Sequence, residues 1–217
     1  MKRIGSEYPA PTGVYKVCVN KKGPWRAYDA ARIQVSIGNP GYEGAKLRAL
    51  CEWCAARFDR TGIVVSDTLR RHNLVFAGMA PDRALATARA DGDAWIARNA
   101  AALALIPRAE ILRWDDLLAD PSRRPTPETP EIARVLAETV AAFAARRRVD
   151  EPLREAFVRH SEDFLREELS VFEILFRRPA IDIYAGSWIE DLIAAVFPGK
   201  DYIGVDFTRN LAAPQAA

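Results

Sequence analysis

Two residues in this chain sit where covalent chemistry could be done. Ser36 ends a strand-like run, Arg32-Ile33-Gln34-Val35-Ser36, and the chain then turns through Gly38-Asn39-Pro40-Gly41 toward the start of a helix. A serine at the carboxyl end of a strand, with backbone N–H groups beside it, has the placement of a nucleophile with an oxyanion site. Ordinary turn chemistry is the plain alternative, and no G-x-S-x-G surrounds it. The second residue is Glu168. Phe164, Leu165, Glu168, Leu169 and Phe172 recur at helical spacing and form one stripe, so Glu168 falls on the apolar face while Glu167 points outward. A carboxylate among apolar neighbours is costly unless it is paired or functional. A site role and a buried ion pair with a nearby arginine therefore both stand.

Other chemistries lack their residues. Cys51-Glu52-Trp53-Cys54 is a C-x-x-C, but a zinc site needs about two further ligands and the chain has only His72 and His160. A thioredoxin-like pair belongs at a helix N-terminus; this one lies mid-helix, where buried free cysteines are expected. With three cysteines there is no disulfide framework. No phosphate-binding G-x-x-x-x-G-K-[ST], no G-x-G-x-x-G and no H-E-x-x-H occurs, so neither a metal nor a nucleotide cofactor is expected. His72, in Arg70-Arg71-His72-Asn73, reads as an anion contact or a solvated loop.

The elements that must position Ser36 and Glu168 alternate along the chain. Strands are expected at 32–36, 62–66, 110–114, 181–184 and 202–206, with helices at 43–58, 81–105, 131–148, 150–177 and 187–197. Pro121, Pro125, Pro127 and Pro130 make residues 121–130 a surface connection. Strands separated by helices imply an α/β fold with a parallel sheet covered on both faces. Ligands of such sheets bind at the carboxyl ends of strands, which points to Ser36–Asn39, Ser66–Asp67 and Tyr184–Ala185. The 217 residues suffice for one core, and 1–217 reads as a single domain with 1–30 and 205–217 as peripheral segments. A hydrophobic share of 49% with 28% charged residues excludes wholesale disorder. The absence of an 18-residue apolar run and of an apolar leader after Met1-Lys2-Arg3 points to a cytoplasmic protein without a membrane partner. Net charge is only +2, yet residues 1–72 hold 13 basic against 6 acidic residues. That basic third, with Arg70 and Arg71, suits a polyanion, or else is a solvated surface.

Taken in order, four segments resemble the tRNA-dependent cyclodipeptide synthases. They are Ser36-Ile37-Gly38-Asn39; Val64-Val65-Ser66-Asp67-Thr68-Leu69 with Arg71-His72-Asn73-Leu74; Phe164-Leu165-Arg166-Glu167-Glu168-Leu169; and Pro179-Ala180-Ile181-Asp182-Ile183-Tyr184. The resemblance implies a Rossmann-like domain like the catalytic domain of the class I tyrosyl- and tryptophanyl-tRNA synthetases, without their ATP signatures. It implies a ping-pong synthesis of a cyclic dipeptide from two aminoacyl-tRNAs, with tailoring enzymes as possible downstream partners. Ser36 matches the nucleophile, Glu168 the carboxylate that holds the substrate amine and relays a proton, Tyr184 the tyrosine of the cyclisation step, and Asn39 a subfamily marker. By the same resemblance Gln34, Val65, Phe164 and Asp182 line the aminoacyl pocket. Arg83, Arg89 and Arg98 lie on the helix that in this family grips tRNA, alongside Arg70 and Arg71.

This chain departs from the family pattern in three places. Phe164 replaces a tyrosine and so loses its donor and acceptor. Ala185 stands where histidine or proline is usual. The 81–100 helix balances Arg83, Arg89 and Arg98 with Asp82, Asp91 and Asp93. Strand alternation puts Gln34 on the face of Ser36 and Asp182 on the face of Tyr184. A polar aminoacyl side chain is then expected, unless Asp182 pairs with an arginine such as Arg32 or Arg178. Two other functions remain: transfer of an aminoacyl group from tRNA to a different acceptor, and non-catalytic tRNA binding.

Overall fold

A computed structural model describes residues 13–19, 25–185 and 189–209 of the chain. A mixed α/β architecture results. Among the described residues the six strands are β1 (Tyr15–Val19), β2 (Ala30–Val35), β3 (Arg60–Val65), β4 (Glu110–Arg113), β5 (Ile181–Ala185) and β6 (Tyr202–Arg209), in the sheet order β1-β6-β5-β2-β3-β4. From β6 to β4 every neighbouring pair is parallel; β1 alone runs antiparallel, against β6. The order of the parallel strands reverses between β2 and β5. Open parallel sheets bind ligands at such a reversal, in the crevice outside the carboxyl ends of the strands.

Helices cover both faces: α1 (Gly44–Arg57), α2 (Arg71–Phe76), α3 (Pro81–Leu103), α4 (Trp114–Leu118), α5 (Pro130–Arg147), α6 (Glu151–Phe176) and α7 (Glu190–Val196). Proline begins α3 and α5, at the position where its missing N–H costs nothing. Thr129 caps α5 through its side-chain oxygen, which accepts from Ile132 N at 3.2 Å. Strand alternation sorts the core into two halves. Ile33, Val35, Ile63, Val65, Ile181, Ile183 and Ala185 pack with Leu47, Leu50, Cys51, Cys54 and Trp95 of α1 and α3. Val64 and Tyr184 pack with Leu165, Leu169 and Phe172 of α6 and with Leu192 and Ile193 of α7. The two mid-helix cysteines are thus core residues, both free and fully buried.

The helices and the strands β2 to β6 match the expected segments to within a few residues. Three elements are additional. β1 falls within residues 1–30, read from the sequence as peripheral, and forms an edge of the sheet. The segment around His72 is a short helix, α2, rather than a loop. Trp114 begins the helix α4 instead of ending β4. Residues 1–12, 20–24, 186–188 and 210–217, which include part of the basic N-terminal third and the expected helix start at 187, lie outside the described residues.

Under the α6 face of the sheet, β2 and β5 are joined by a buried ion pair. Arg32 grips Asp182 bidentately, Nε to Oδ1 at 2.9 Å and Nη2 to Oδ2 at 2.7 Å, with Gln34 Nε2 donating to the same Oδ1 at 2.6 Å. The Arg32 guanidinium also donates to the carbonyls of Leu175 and Arg178. Both partners are almost wholly buried, Arg32 at 4% and Asp182 at 0% exposure. Deleting one charge strands the other in a dry site. Arg32→Ala is predicted to cost about 3–5 kcal/mol in urea unfolding, while Arg32→Met combined with Asp182→Leu recovers most of the loss. A loss below about 1 kcal/mol for the single variant would contradict this account of the pair.

Candidate active site

The loop leaving β2 is built to approach the end of β5. Ser36 opens a tight turn closed by Asn39 N to Ser36 O at 3.1 Å. Gly38 occupies its third position with φ 88°, a conformation that glycine adopts without strain because it has no Cβ. Asn39 then caps the following short turn, its Oδ1 accepting from Gly41 N at 2.8 Å, and its Nδ2 donates to Ala185 O at 2.9 Å. From the other side Ala185 N donates to the Tyr42 hydroxyl at 2.7 Å. Tyr42 is in turn fixed by Trp95 Nε1, which donates to the Tyr42 carbonyl at 2.9 Å. A Cβ on Gly41 would lie 2.9 Å from the Ala185 methyl, so close contact here requires small residues both in the turn after β2 and at the end of β5.

The result is a cavity of about 360 Å³ at the carboxyl ends of β2 and β5, lined by Ser36, Asn39, Tyr42, Tyr184 and Ala185 from the sheet side. Phe164, Leu165 and Glu168 of α6, Phe143, Arg146 and Arg147 of α5, and Ile189 complete the wall. Ser36 is exposed to it. Tyr184 lies edge-on to Phe172, ring centroids 6.3 Å apart, and burial raises its hydroxyl pKa well above the ordinary value, helped by the charges of Asp182 and Glu168.

Two adjacent carboxylates on α6 behave in opposite ways. Glu168 opens on the cavity and is otherwise enclosed by protein. Among the described residues no side chain donates a hydrogen bond to it and no cation offsets its burial, which pushes its pKa up to about 8. Glu167 is held by three donors: Arg71 at 2.7 Å and through a second guanidinium contact, His72 Nε2 at 3.2 Å and Trp114 Nε1 at 2.9 Å. Burial alone would raise Glu167, but the hydrogen bonds from His72, Arg71 and Trp114 outweigh it and hold the carboxyl at about 2. The expectation that Glu167 points outward is therefore corrected. The helix is covered on that side as well, by α2, and Glu167 ties α2 and α4 to α6. His72 also lies edge-on to Phe164, centroids 6.2 Å apart, so α2 braces the cavity wall.

Residues 18–170 match the sequence model of the cyclodipeptide synthases. The chain belongs to the cyclodipeptide synthase family. Solved structures of similar fold include a cyclodipeptide synthase from Fluoribacter dumoffii, with a TM-score of 0.78 at 18% identity over 91% of this chain and 100% of that one. Another, from Staphylococcus haemolyticus, gives 0.64 at 12% identity over 91% and 100%. A Mycobacterium tuberculosis protein gives 0.58 at 15% identity over 96% and 100%; its structure is described as demonstrating that cyclodipeptide synthetases are related to type I tRNA synthetases. No curated protein matches this chain.

Set in this synthase fold, the residues singled out from the sequence divide into four groups. Ser36, Asn39, Phe164, Glu168 and Tyr184 line one cavity. Gln34 and Asp182 share their face of the sheet, as alternation predicts, but they are engaged by the Arg32 network and are not part of the cavity wall. The expected acidic substrate contact is corrected accordingly: Asp182 pairs with Arg32, the alternative the sequence left standing. Val65 is a correction of a different kind, since its side chain belongs to the α1 and α3 core, on the opposite face of the sheet.

The arginines expected to grip tRNA are largely occupied. Arg70 pairs with Asp91, Arg71 with Glu167, Arg89 with Asp115 and Arg98 with Glu43; Arg83 is exposed. Sequence reasoning missed Tyr42, Phe143, Arg146 and Arg147. Tyr42 follows the Ser36 turn closely enough to have been found; the α5 residues carry no local signal, because only tertiary packing brings that helix end to the sheet.

The raised pKa of Glu168 has a thermodynamic consequence. Its folded value of about 8 lies above the ordinary 4.5, so folding favours the protonated acid. That stabilisation is complete below the ordinary value and is lost as pH rises through about 8. Between pH 6 and 9 the Tm of the native protein is predicted to fall relative to that of Glu168→Gln, which does not titrate. A Tm difference that stays constant over this range would show that Glu168 is not held in a desolvated wall.

Proposed function

We propose that the protein is an aminoacyltransferase that makes a cyclic dipeptide from two aminoacyl-tRNAs through an aminoacyl-Ser36 enzyme. The observation that carries this reading is the meeting of Ser36, Glu168 and Tyr184 in one cavity at the strand-order reversal. The aminoacyl ester arrives activated, so no ATP is required. Ser36 Oγ attacks the ester carbonyl, the bond to the terminal ribose oxygen breaks, and that oxygen leaves with the serine proton. A histidine base is then unnecessary, in keeping with the absence of one from the cavity wall among the described residues. The N–H groups of Ile37 and Gly38 donate to no described group and are available to the developing oxyanion.

Glu168 then takes up the amine chemistry. An α-amino group ordinarily titrates near 8, close to the value of about 8 that burial gives this carboxyl. Groups so matched exchange a proton at little cost. Glu168, as the carboxylate, holds the ammonium of the aminoacyl-Ser36 group and accepts one proton from it. The free amine attacks the ester carbonyl of the second aminoacyl-tRNA, the bond to that ribose oxygen breaks, and the oxygen leaves with a proton from the amine, giving a dipeptidyl-Ser36 enzyme. Tyr184, beside Glu168, is placed to act when the second amine closes on the Ser36 ester, which forms the ring and frees the hydroxyl. Phe164 supplies apolar contact in the same wall and no hydrogen bond. We place the reaction in the cytoplasm, where charged tRNAs are found.

Incubating the purified protein with a complete set of charged tRNAs, and reading small products by mass spectrometry, tests the proposal. Cyclic dipeptides are expected from the native protein, and a loss of at least about a thousandfold in Ser36→Ala, on the order of what removing a nucleophile costs. Product at near-native rates in Ser36→Ala would overturn the mechanism. Labelled protein without any cyclic product would instead point to transfer onto another acceptor.

A further inference from the structure

We infer that Arg147, together with Arg146, forms the phosphate-binding site for the 3′-terminal nucleotides of the charged tRNA, replacing the α3 surface in that role. The inference rests on the proposed use of aminoacyl-tRNA and names where its backbone is held. Both arginines belong to the wall of the cavity that contains Ser36. An ester positioned at Ser36 brings its ribose, and the phosphates attached to it, to the mouth of that same cavity. Arg146 lies over the Phe143 ring, guanidinium carbon 5.7 Å from the centroid, and Arg147 lies over Phe157 at the same distance. Stacking on Phe157 fixes the plane of the Arg147 guanidinium while leaving its N–H fork open to a phosphate. Arg147 makes no ion pair with a carboxylate among the described residues, and Arg148 follows it at the helix end.

The contrast with α3 is electrostatic. Arg70, Arg89 and Arg98 are each neutralised by a carboxylate, and Arg113, nearby, holds both Asp67 and Asp93. A phosphate arriving at these arginines must displace an existing partner, and Arg83, exposed in the first turn of α3, is not among the residues of the cavity wall; a phosphate arriving at Arg147 meets unneutralised charge in that wall. Favourable placement of cations at a helix C-terminus accounts for arginines at the end of α5. It does not account for two of them lining the cavity of the nucleophile.

The test compares Arg146→Ala/Arg147→Ala with Arg89→Ala/Arg98→Ala, using two acyl donors: charged tRNA, and an aminoacyl-adenosine ester that lacks phosphate. The α5 pair is expected to raise KM for charged tRNA at least about tenfold with kcat within about threefold. KM for the phosphate-free ester stays unchanged. Anisotropy titration of an acceptor-stem RNA ending in CCA should show the slope of log Kd against log salt reduced by about one for each phosphate that the protein no longer neutralises. Unchanged KM, equal effects on both donors, or a larger loss in the α3 pair would overturn the inference. The RNA titration separates it from the proposed reaction. Arginine-dependent RNA affinity in a protein that makes no cyclic product sinks the reaction alone, whereas native protein without RNA affinity sinks this inference.

Discussion

One residue, Ala185, is held on both sides of its backbone by the loop that leaves β2. Its N–H reaches the Tyr42 hydroxyl and its carbonyl receives the Asn39 amide. Each hydrogen bond contributes only about 1 kcal/mol net, but their geometric effect is larger. The pairing of β2 with β5 ends at Ile33 and Ile183, short of both carboxyl ends, at the point where the strand order reverses. Beyond the Arg32–Asp182 pair, this clamp is what holds Ser36 near Tyr184, the residue before Ala185, among the described residues. The small residues Gly41 and Ala185 permit the approach, and Trp95 fixes Tyr42 from behind. Alanine at 185 is thus matched by close packing against Gly41.

The other wall of the cavity depends on a difference between neighbours. Glu167 and Glu168 are adjacent on α6, yet one is held at about 2 and the other pushed up to about 8. Helix geometry separates them by roughly 100°, so one meets the donors of α2 and α4 while the other meets the cavity. The first carboxylate is structural: by satisfying Arg71, His72 and Trp114 it fixes the rotation of α6 about its axis. The second has no such donor among the described residues, which is the condition the proposed proton transfer relies on. The Arg32–Asp182 pair below adds a third constraint by tying β2 to β5 under the site.

Much of this was legible in the sequence because it follows from periodicity. The apolar runs of β2, β3 and β5, the stripe of α6 and the turn residues after Ser36 are local signals. They place Ser36 and Glu168 correctly on a strand end and an inner helix face. What was not legible depends on partners distant in sequence. Glu167 reads as a solvated residue until α2 is seen to cover it. Asp182 and Gln34 lie on the predicted face, but a phase argument cannot tell a cavity from a neighbouring guanidinium. Val65 is in register with its strand and buried, on the wrong side for the site. β1 alternates half-buried and exposed residues at a sheet edge, a weaker pattern than the continuous apolar run of a central parallel strand. Arg146 and Arg147 look like an ordinary basic helix end until α5 is folded against the sheet.

The central claim is that Ser36 carries the first aminoacyl group and that Glu168 serves the step after it. Intact-protein mass spectrometry of Glu168→Gln, incubated with one charged tRNA species at a time, tests both halves at once. The account predicts a mass increase of one aminoacyl residue, mapped to the peptide containing Ser36 and removed by hydroxylamine, with no cyclic product released. An unmodified protein that nonetheless releases cyclic dipeptide, or an adduct on any residue other than Ser36, would contradict it.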